Sequence, residues 1–274
     1  MSMDPSKMEL SLPPVSVIVP AYNEEAWIET TLSSLLTSGF PCEIIVVDDG
    51  STDRTPEILQ RFADQAIVIT HPTNRGKGAA MASGIRRATG EIVVFCDAHL
   101  VGLNQMHLLS LVLPLVYGSA RAVLGVAMPP KLSWTLTRTL SPAVILTGQR
   151  AYRREDLLPL VDDLEELGYG VETFLYTKFP RDKTVVVLLP GLIHLLKTDT
   201  GSAWQAATAY LREAQEIVGT LARIQGLTSR ELADLRQKMA ALLANLTSLG
   251  DEKTGDDRTA PRSAPPHCTE PDEN

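Results

Sequence analysis

Four times within about its first hundred residues this chain passes through a short, β-branched apolar stretch that runs out into polar residues. VSVIVP begins at Val15, EIIVV at Glu43, AIVIT at Ala66 and EIVVF at Glu91. Helical patterns separate them. Ala26, Ile28, Leu32, Leu35 and Leu36 recur at helical spacing after the first, with Gly39 where a helix should end. Ile58, Leu59 and Phe62 follow the second, where Thr52 or Asp53 can cap the helix. Ala79 to Ala88 follows the third. Strands alternating with helices over short connections make βαβ units, which wind right-handed into a parallel sheet. Stretches apolar on both faces are what such a sheet buries. The predicted class is therefore α/β, a mostly parallel sheet flanked by helices.

A parallel sheet gathers its carboxyl ends on one edge, and open α/β sheets bind ligands there. Tyr22, Asn23 and Glu24 follow the first strand, Asp48 and Asp49 the second. Arg75 and Lys77 lie past the third, Asp97 and His99 past the fourth. Four separate clusters are thus predicted to meet in one cleft. Asp97 and His99, one residue apart, can turn toward one point, where a divalent cation holding a diphosphate would sit. Alone, that tripeptide reads more readily as a strand exit with two solvated polar groups; its neighbours reverse the preference toward the ligand site. Lys77 stands between two glycines, which brings one cation and close backbone to an anion. The plain alternative is a helix start with a solvated lysine.

Composition narrows the partners. The 274 residues, 44% hydrophobic and 21% charged, suffice for one sizeable α/β core and an appendage. A net charge of -8 and a pI near 5.2 provide no basic face to neutralise phosphates, so no nucleic-acid partner is expected. Cys42, Cys96 and Cys268 have none of the close spacings of a zinc site, which fits a reducing cytoplasm. MSMDPSKMEL lacks the apolar core of a signal peptide. The later apolar stretch from Val185 to Leu196 is broken by Pro190, Gly191 and His194 and falls short of the ~20 residues a spanning helix needs. The expected location is cytoplasmic, with peripheral contact to a membrane left open.

Farther along, Met106 to Val116 reads as a helix and Ala120 to Met128 as a strand. The Thr-rich segment 131–141, with Lys131, Trp134 and Arg138, reads as a loop or mobile lid. Leu146 to Ala151 leads into a helix carrying Leu157, Leu158 and Leu160. Gly168 to Glu172 turns into another helix, and Val185 to Leu189 is the last predicted strand. Trp204, Ala207, Leu211, Ala214, Val218 and Leu221 then trace a narrow apolar seam. Thr228 and Glu231 form a capping-box pair before a second such helix with Leu232, Leu235, Met239, Leu242 and Leu246. The seam of this helical hairpin can pack on its own domain, on a second copy as a homodimer, or on a membrane surface. The expected division is a flexible N-terminus over 1–13, an α/β domain over 14–200, the helical hairpin over 201–249 and a disordered polar tail over 250–274.

Taken together, the motifs VSVIVPAYNEE, IIVVDDGSTD, NRGKGAA, VVFCDAHL, LTGQRAYRR and GYGVE resemble the family 2 glycosyltransferases, nucleotide-sugar enzymes of the GT-A fold, over roughly Val15 to Lys197. The last two motifs, with His194, are similar to those of the retaining glucosyl-3-phosphoglycerate synthases. The resemblance implies that Pro20, Ala21, Tyr22 and Glu24 line a nucleoside pocket, and that Asp49 with Ser51 reads the uracil edge. It implies that Lys77 contacts the nucleotide and that Asp97 serves near the ribose and a Mn²⁺ or Mg²⁺ ion. His99 stands where the family has a second acid. Imidazole is softer than carboxylate, so Mn²⁺ should be tolerated better than Mg²⁺. His194 matches a late histidine that completes the metal shell, and Glu172, beside Tyr169, matches an acid that holds donor-sugar hydroxyls.

The implied activity is sugar transfer from a nucleotide-sugar donor, UDP-sugar favoured, to a hydroxyl or phosphate acceptor, small-molecule or lipid-linked. Retention by same-face attack follows from the narrower resemblance, inversion with a carboxylate base from the broader one. The synthases follow their late histidine with a basic segment that grips phosphoglycerate; here it is His194-Leu195-Leu196-Lys197, far less polar. That argues against 3-phosphoglycerate as acceptor. The alternatives are transfer to a polyprenyl phosphate and a non-catalytic nucleotide-sugar-binding module in which His99 marks a decayed metal site.

Overall fold

The structure, a computed structural model, describes residues 12–128, 147–168 and 170–194. In chain order the elements are β1 (Val15–Ala21), α1 (Ile28–Thr37), β2 (Glu43–Asp48), α2 (Thr55–Gln60), β3 (Ile67–Thr70), α3 (Lys77–Arg87), β4 (Ile92–Phe95), β5 (Leu100–Val101), α4 (Gln105–Val116) and β6 (Ala122–Met128). They continue with β7 (Arg150–Arg153), α5 (Arg154–Leu157), a 3-10 turn (Leu158–Leu160), α6 (Val161–Glu165), α7 (Val171–Lys178), a second 3-10 turn (Arg181–Lys183), β8 (Thr184–Pro190) and β9 (Ile193–His194).

Seven strands form one sheet in the order β3-β2-β1-β4-β7-β6-β8. Six run parallel, as the βαβ alternation requires; β7 runs antiparallel to both its neighbours, β4 and β6. One apolar layer packs Val15, Val17, Val19, Ile44 and Val46 against Ile28, Leu32 and Leu35 of α1 and Leu108, Leu111 and Leu115 of α4. The opposite layer packs Ile18, Ile45 and Val47 against Met81 and Ile85 of α3, Leu164 of α6 and Leu175 of α7. Alternate residues of one strand therefore enter different layers, which is why β1 and β2 are apolar almost throughout.

Several sequence expectations need correction. Arg150–Arg153 is a strand, not the approach to a helix: RAYR has no apolar alternation to reveal it, and its pairing with β4 and β6 supplies the strand conformation. The helix expected to carry Leu157, Leu158 and Leu160 is broken into α5, a 3-10 turn around Pro159, and α6. α3 starts at Lys77, two residues before the expected Ala79, because Gly76 takes the N-cap position at φ 95°. For α2 the N-cap is Arg54; Asp53, one residue earlier, accepts from Thr55 N–H at 2.9 Å, and Thr52 takes no part. Among the described residues the last strand is β9, not β8.

The lid expected over 131–141, the helical hairpin over 201–249 and the tail over 250–274 lie outside the described residues, as does the N-terminus expected over 1–13 apart from Leu12 and Pro13. Among the described residues no helix is long and apolar enough to cross a membrane.

Candidate active site

β4 delivers Asp97 to the carboxyl edge, and the chain leaves the sheet through Ala98 and His99. Thr31, buried on α1, fixes that exit: its hydroxyl donates to the Ala98 carbonyl at 2.9 Å and accepts from Leu100 N–H at 3.0 Å. Just beyond, β5 pairs antiparallel with β9, Leu100 opposite His194. This two-residue ladder carries a histidine from the far end of the domain to His99. Their Nε2 atoms lie 3.1 Å apart, and His194 Nε2 lies 2.9 Å from Asp97 Oδ2.

Asp97, His99 and His194 are thus brought together, with one ligand atom from each lying within 4.8 Å of the others. Neighbouring ligands of a single ion with ~2.1 Å bonds stand about 3 Å apart, and both measured separations match that edge. Two Nε2 atoms facing each other share at most one proton between them, so a cation satisfies both lone pairs where a hydrogen bond satisfies one. The residues therefore fit a divalent ion.

Asp97 is held from two further directions. Lys77 Nζ donates to Oδ1 at 2.8 Å and Gln149 Nε2 to Oδ2 at 2.8 Å. Gly148 leaves the space: a Cβ there would stand 2.1 Å from Asp97 Oδ1. Burial pushes this carboxyl's pKa up, but the Lys77 ammonium, the His194 hydrogen bond and the two imidazoles outweigh it and hold it well below the ordinary range. Lys77 Nζ also lies 2.5 Å from Glu172 Oε1. Burial works against its charge, yet Asp97 and Glu172 together raise its pKa, so it is a fixed cation between two acids.

Glu172 occupies the first turn of α7 and is 5% exposed. Arg150, fully buried on β7, anchors that turn by donating from Nη1 to the Glu172 carbonyl at 2.7 Å, and from Nε to the Thr147 carbonyl at 2.5 Å. Glu24 reaches His99, its Oε1 3.2 Å from Nδ1. Asp97, Glu172 and Glu24 bring three acidic side chains to this centre, with the Lys77 ammonium between the first two and the buried Arg150 guanidinium at the Glu172 backbone.

Next to this centre lies a second group. Asp49 accepts from Arg75 N–H at 3.0 Å and Gly76 N–H at 2.7 Å, and lies 2.6 Å from His71 Nδ1. His71 Nε2 lies 2.9 Å from Ser83 Oγ. Asp49 thereby holds the two backbone donors that precede Lys77, so the second and third strand ends set where α3 begins. Ser51 Oγ accepts from Asn23 N–H at 2.9 Å, and Asn23 Oδ1 from Thr52 N–H at 2.8 Å, joining the loops after β1 and β2. Asn23 holds a left-handed φ of 54° there. Pro20 and Ala21 end β1, the Ala21 carbonyl accepting from Asp49 N–H at 2.8 Å, and Tyr22 follows half-buried. Tyr169 lies outside the described residues. Sequence reasoning gave no role to Gly148, Gln149, Arg150 or His71. The first three lie in the LTGQRAYRR motif, which was a signal without an assignment.

The model for glycosyl transferase family 2 matches residues 16–182. The chain is 37% identical over 113 residues to glucosyl-3-phosphoglycerate synthase of Mycobacterium tuberculosis, a match covering 38% of this chain and 34% of that protein. It is 40% identical over 94 residues to the undecaprenyl-phosphate 4-deoxy-4-formamido-L-arabinose transferase of Pectobacterium carotovorum, covering 31% and 29%. A probable glycosyltransferase, YdaM of Bacillus subtilis, is 42% identical over 96 residues, covering 32% and 23%. These curated relatives are thus matched over about a third of their length or less.

Solved structures extend the likeness. The Mycobacterium tuberculosis glucosyl-3-phosphoglycerate synthase with Mn²⁺, UDP and glucosyl-3-phosphoglycerate shares 27% identity at a TM-score of 0.59, over 79% of this chain and 81% of that one. The same enzyme with Mg²⁺ and UDP gives the same figures. The sheet and its flanking helices have the GT-A arrangement. With the family model matching more than half of its length, this chain belongs to glycosyl transferase family 2.

Proposed function

We propose that the chain is a metal-dependent glycosyltransferase that moves a sugar from a nucleoside-diphosphate donor, UDP-sugar favoured, to a hydroxyl or phosphate acceptor. The observation that carries this reading is the meeting of Asp97, His99 and His194 beside the Lys77–Glu172 pair. The similar synthase solved with UDP-glucose and Mn²⁺ supports the choice of donor and ion.

Asp97, His99 and His194 would hold the ion, which offsets the charge growing on the departing diphosphate. Lys77 adds a fixed positive charge beside Asp97, and Asp49 fixes the backbone leading into it. Glu172, poised by Arg150, accepts hydroxyls of the donor sugar and orients its anomeric carbon. Pro20, Ala21, Tyr22 and Ser51 lie on the β1 and β2 ends, where a nucleoside would rest, with Tyr169 beside the sugar. A second reading, transfer to a polyprenyl phosphate, draws on the undecaprenyl-phosphate relative and the apolar Leu195-Leu196 that follow His194.

We place this activity in the α/β domain over 14–200 and in the cytoplasm, where the free thiols Cys42 and Cys96 fit a reducing compartment. A helical hairpin over 201–249 would pack on this domain, on a second copy as a homodimer or on a membrane surface. The experiment is release of UDP from a panel of UDP-sugars, with and without Mn²⁺, against extracted polyprenyl phosphate and small polar acceptors. The reading expects Mn²⁺-dependent release that requires one acceptor class. UDP binding without release under every condition would favour the non-catalytic module.

A further inference from the structure

His99 differs from the other two ligands in having a carboxylate behind it. While its Nε2 faces His194, its Nδ1 lies 3.2 Å from Glu24 Oε1, within hydrogen-bonding range. Glu24 is 9% exposed and fixed at both ends of its own peptide unit. Its N–H donates to Thr55 Oγ1 at 2.8 Å, and its carbonyl accepts from Trp27 and Ile28 N–H, each at 3.0 Å, where α1 opens. The backbone that carries this carboxylate is therefore fixed, and the partner its side chain reaches is the His99 imidazole.

We propose that Glu24 is a positioning residue of the metal centre, holding His99 by Nδ1 so that Nε2 is turned toward the point shared with Asp97 and His194. The inference rests on those three residues being the metal ligands. An imidazole with two unlike nitrogens must be told which one to present, and the hydrogen bond at the other nitrogen does this. The carboxylate also makes the imidazole a stronger donor, returning part of the negative charge that an acid at position 99 would have provided. Two imidazoles and one carboxylate then favour the first-row transition ions Mn²⁺, Fe²⁺ and Co²⁺, which accept imidazole, over Mg²⁺, whose preference is for oxygen. This assigns Glu24 to the ion instead of the nucleoside.

The test is direct Mn²⁺ binding, followed by electron paramagnetic resonance of the free ion without nucleotide, on the full chain and its variants. Glu24→Ala is expected to weaken Mn²⁺ by roughly 10–100-fold, the usual cost of losing such a partner. Glu24→Gln should lose less, because its amide oxygen still accepts from Nδ1. His99→Asp should raise Mg²⁺ affinity relative to Mn²⁺, and in that background Glu24→Ala should cost nothing further. If Glu24→Ala fails to fold by circular dichroism, Glu24→Gln and the His99→Asp pair carry the comparison. Mn²⁺ affinity within twofold of wild type in the Glu24 variants, with metal-free UDP binding lost instead, would overturn the proposal and return Glu24 to the nucleoside. A wild-type chain that binds no Mn²⁺ would overturn the ligand assignment itself.

Discussion

Gly148 shows how much of the site depends on an atom that is not there. A Cβ at this position would lie 2.1–2.3 Å from three atoms of the Asp97 carboxylate, so Gly148→Ala must push the acid off its mark. Mn²⁺-dependent UDP release should fall tenfold or more, with fold retained in far-ultraviolet circular dichroism; activity within twofold of wild type would mean Asp97 needs no such precision. Gln149→Leu tests the same acid from the other side. It keeps the bulk but removes the donor to Oδ2, so Mn²⁺ should bind more weakly in titration while the thermal midpoint changes little. At this scale Asp97, His99 and Lys77 were legible from their chemistry and their place at the strand ends, and Glu172 and His194 through the family resemblance, whereas Arg150 and His71 went unread although one is charged and the other titratable. Gly148 acts through the space it leaves and Gln149 through one hydrogen bond from an uncharged amide, and neither leaves a periodic or electrostatic trace in the sequence.

Elements meet at two places that sequence pattern could not supply. Gly78, in the first turn of α3, lies against the carbonyl end of α6: a Cβ there would come within 1.9 Å of the Leu167 oxygen and 2.1 Å of the Leu164 oxygen. Both are backbone atoms with little freedom to retreat. Gly78→Ala should therefore tilt the start of α3, carry Lys77 away from Asp97 and destabilise the fold by about 1–3 kcal/mol, read as a lowered thermal midpoint. The glycines of NRGKGAA were legible as close-approach residues, but the partner turned out to be another helix as well as any ligand. At the opposite end of the sheet, Glu43 joins β2 to β1 and to the turn between α3 and β4. Its carboxylate accepts from Ser16 Oγ, Thr89 Oγ1 and the Thr89 and Gly90 N–H groups.

Burial raises the Glu43 pKa, but these donors outweigh it and leave the group below its ordinary value. A depressed folded-state pKa stabilises fully above the unfolded value and loses that contribution as pH falls through the folded one. Glu43→Gln should then cost about 1 kcal/mol at neutral pH, modest because the group is partly exposed. The difference in denaturation midpoint should shrink as the solution is acidified below the ordinary glutamate range. A gap that stays constant with pH would assign the loss to shape instead of charge. Antiparallel β7 was the element least visible beforehand, since four residues of RAYR carry no strand pattern and are recruited by the edges of β4 and β6.

Across the whole molecule, the parallel sheet does what its handedness dictates and turns four strand ends to one edge. That much was readable from the alternation of strands and helices. What the alternation could not give was closure of the metal centre, because His194 arrives from the last described strand through two residues of ladder opposite Leu100. Only the family resemblance connected it to Asp97, and the geometry places it 2.9 Å away. The proposed metal centre thus rests on one long-range junction, β9 upon β5, which sets His194 beside His99 and Asp97. Calorimetry of UDP binding with and without Mn²⁺, on wild type and His194→Ala, tests that junction most directly. Mn²⁺ should strengthen UDP binding at least tenfold in wild type and have little effect in the variant. Equal UDP affinity with and without Mn²⁺ in the wild-type chain would contradict it.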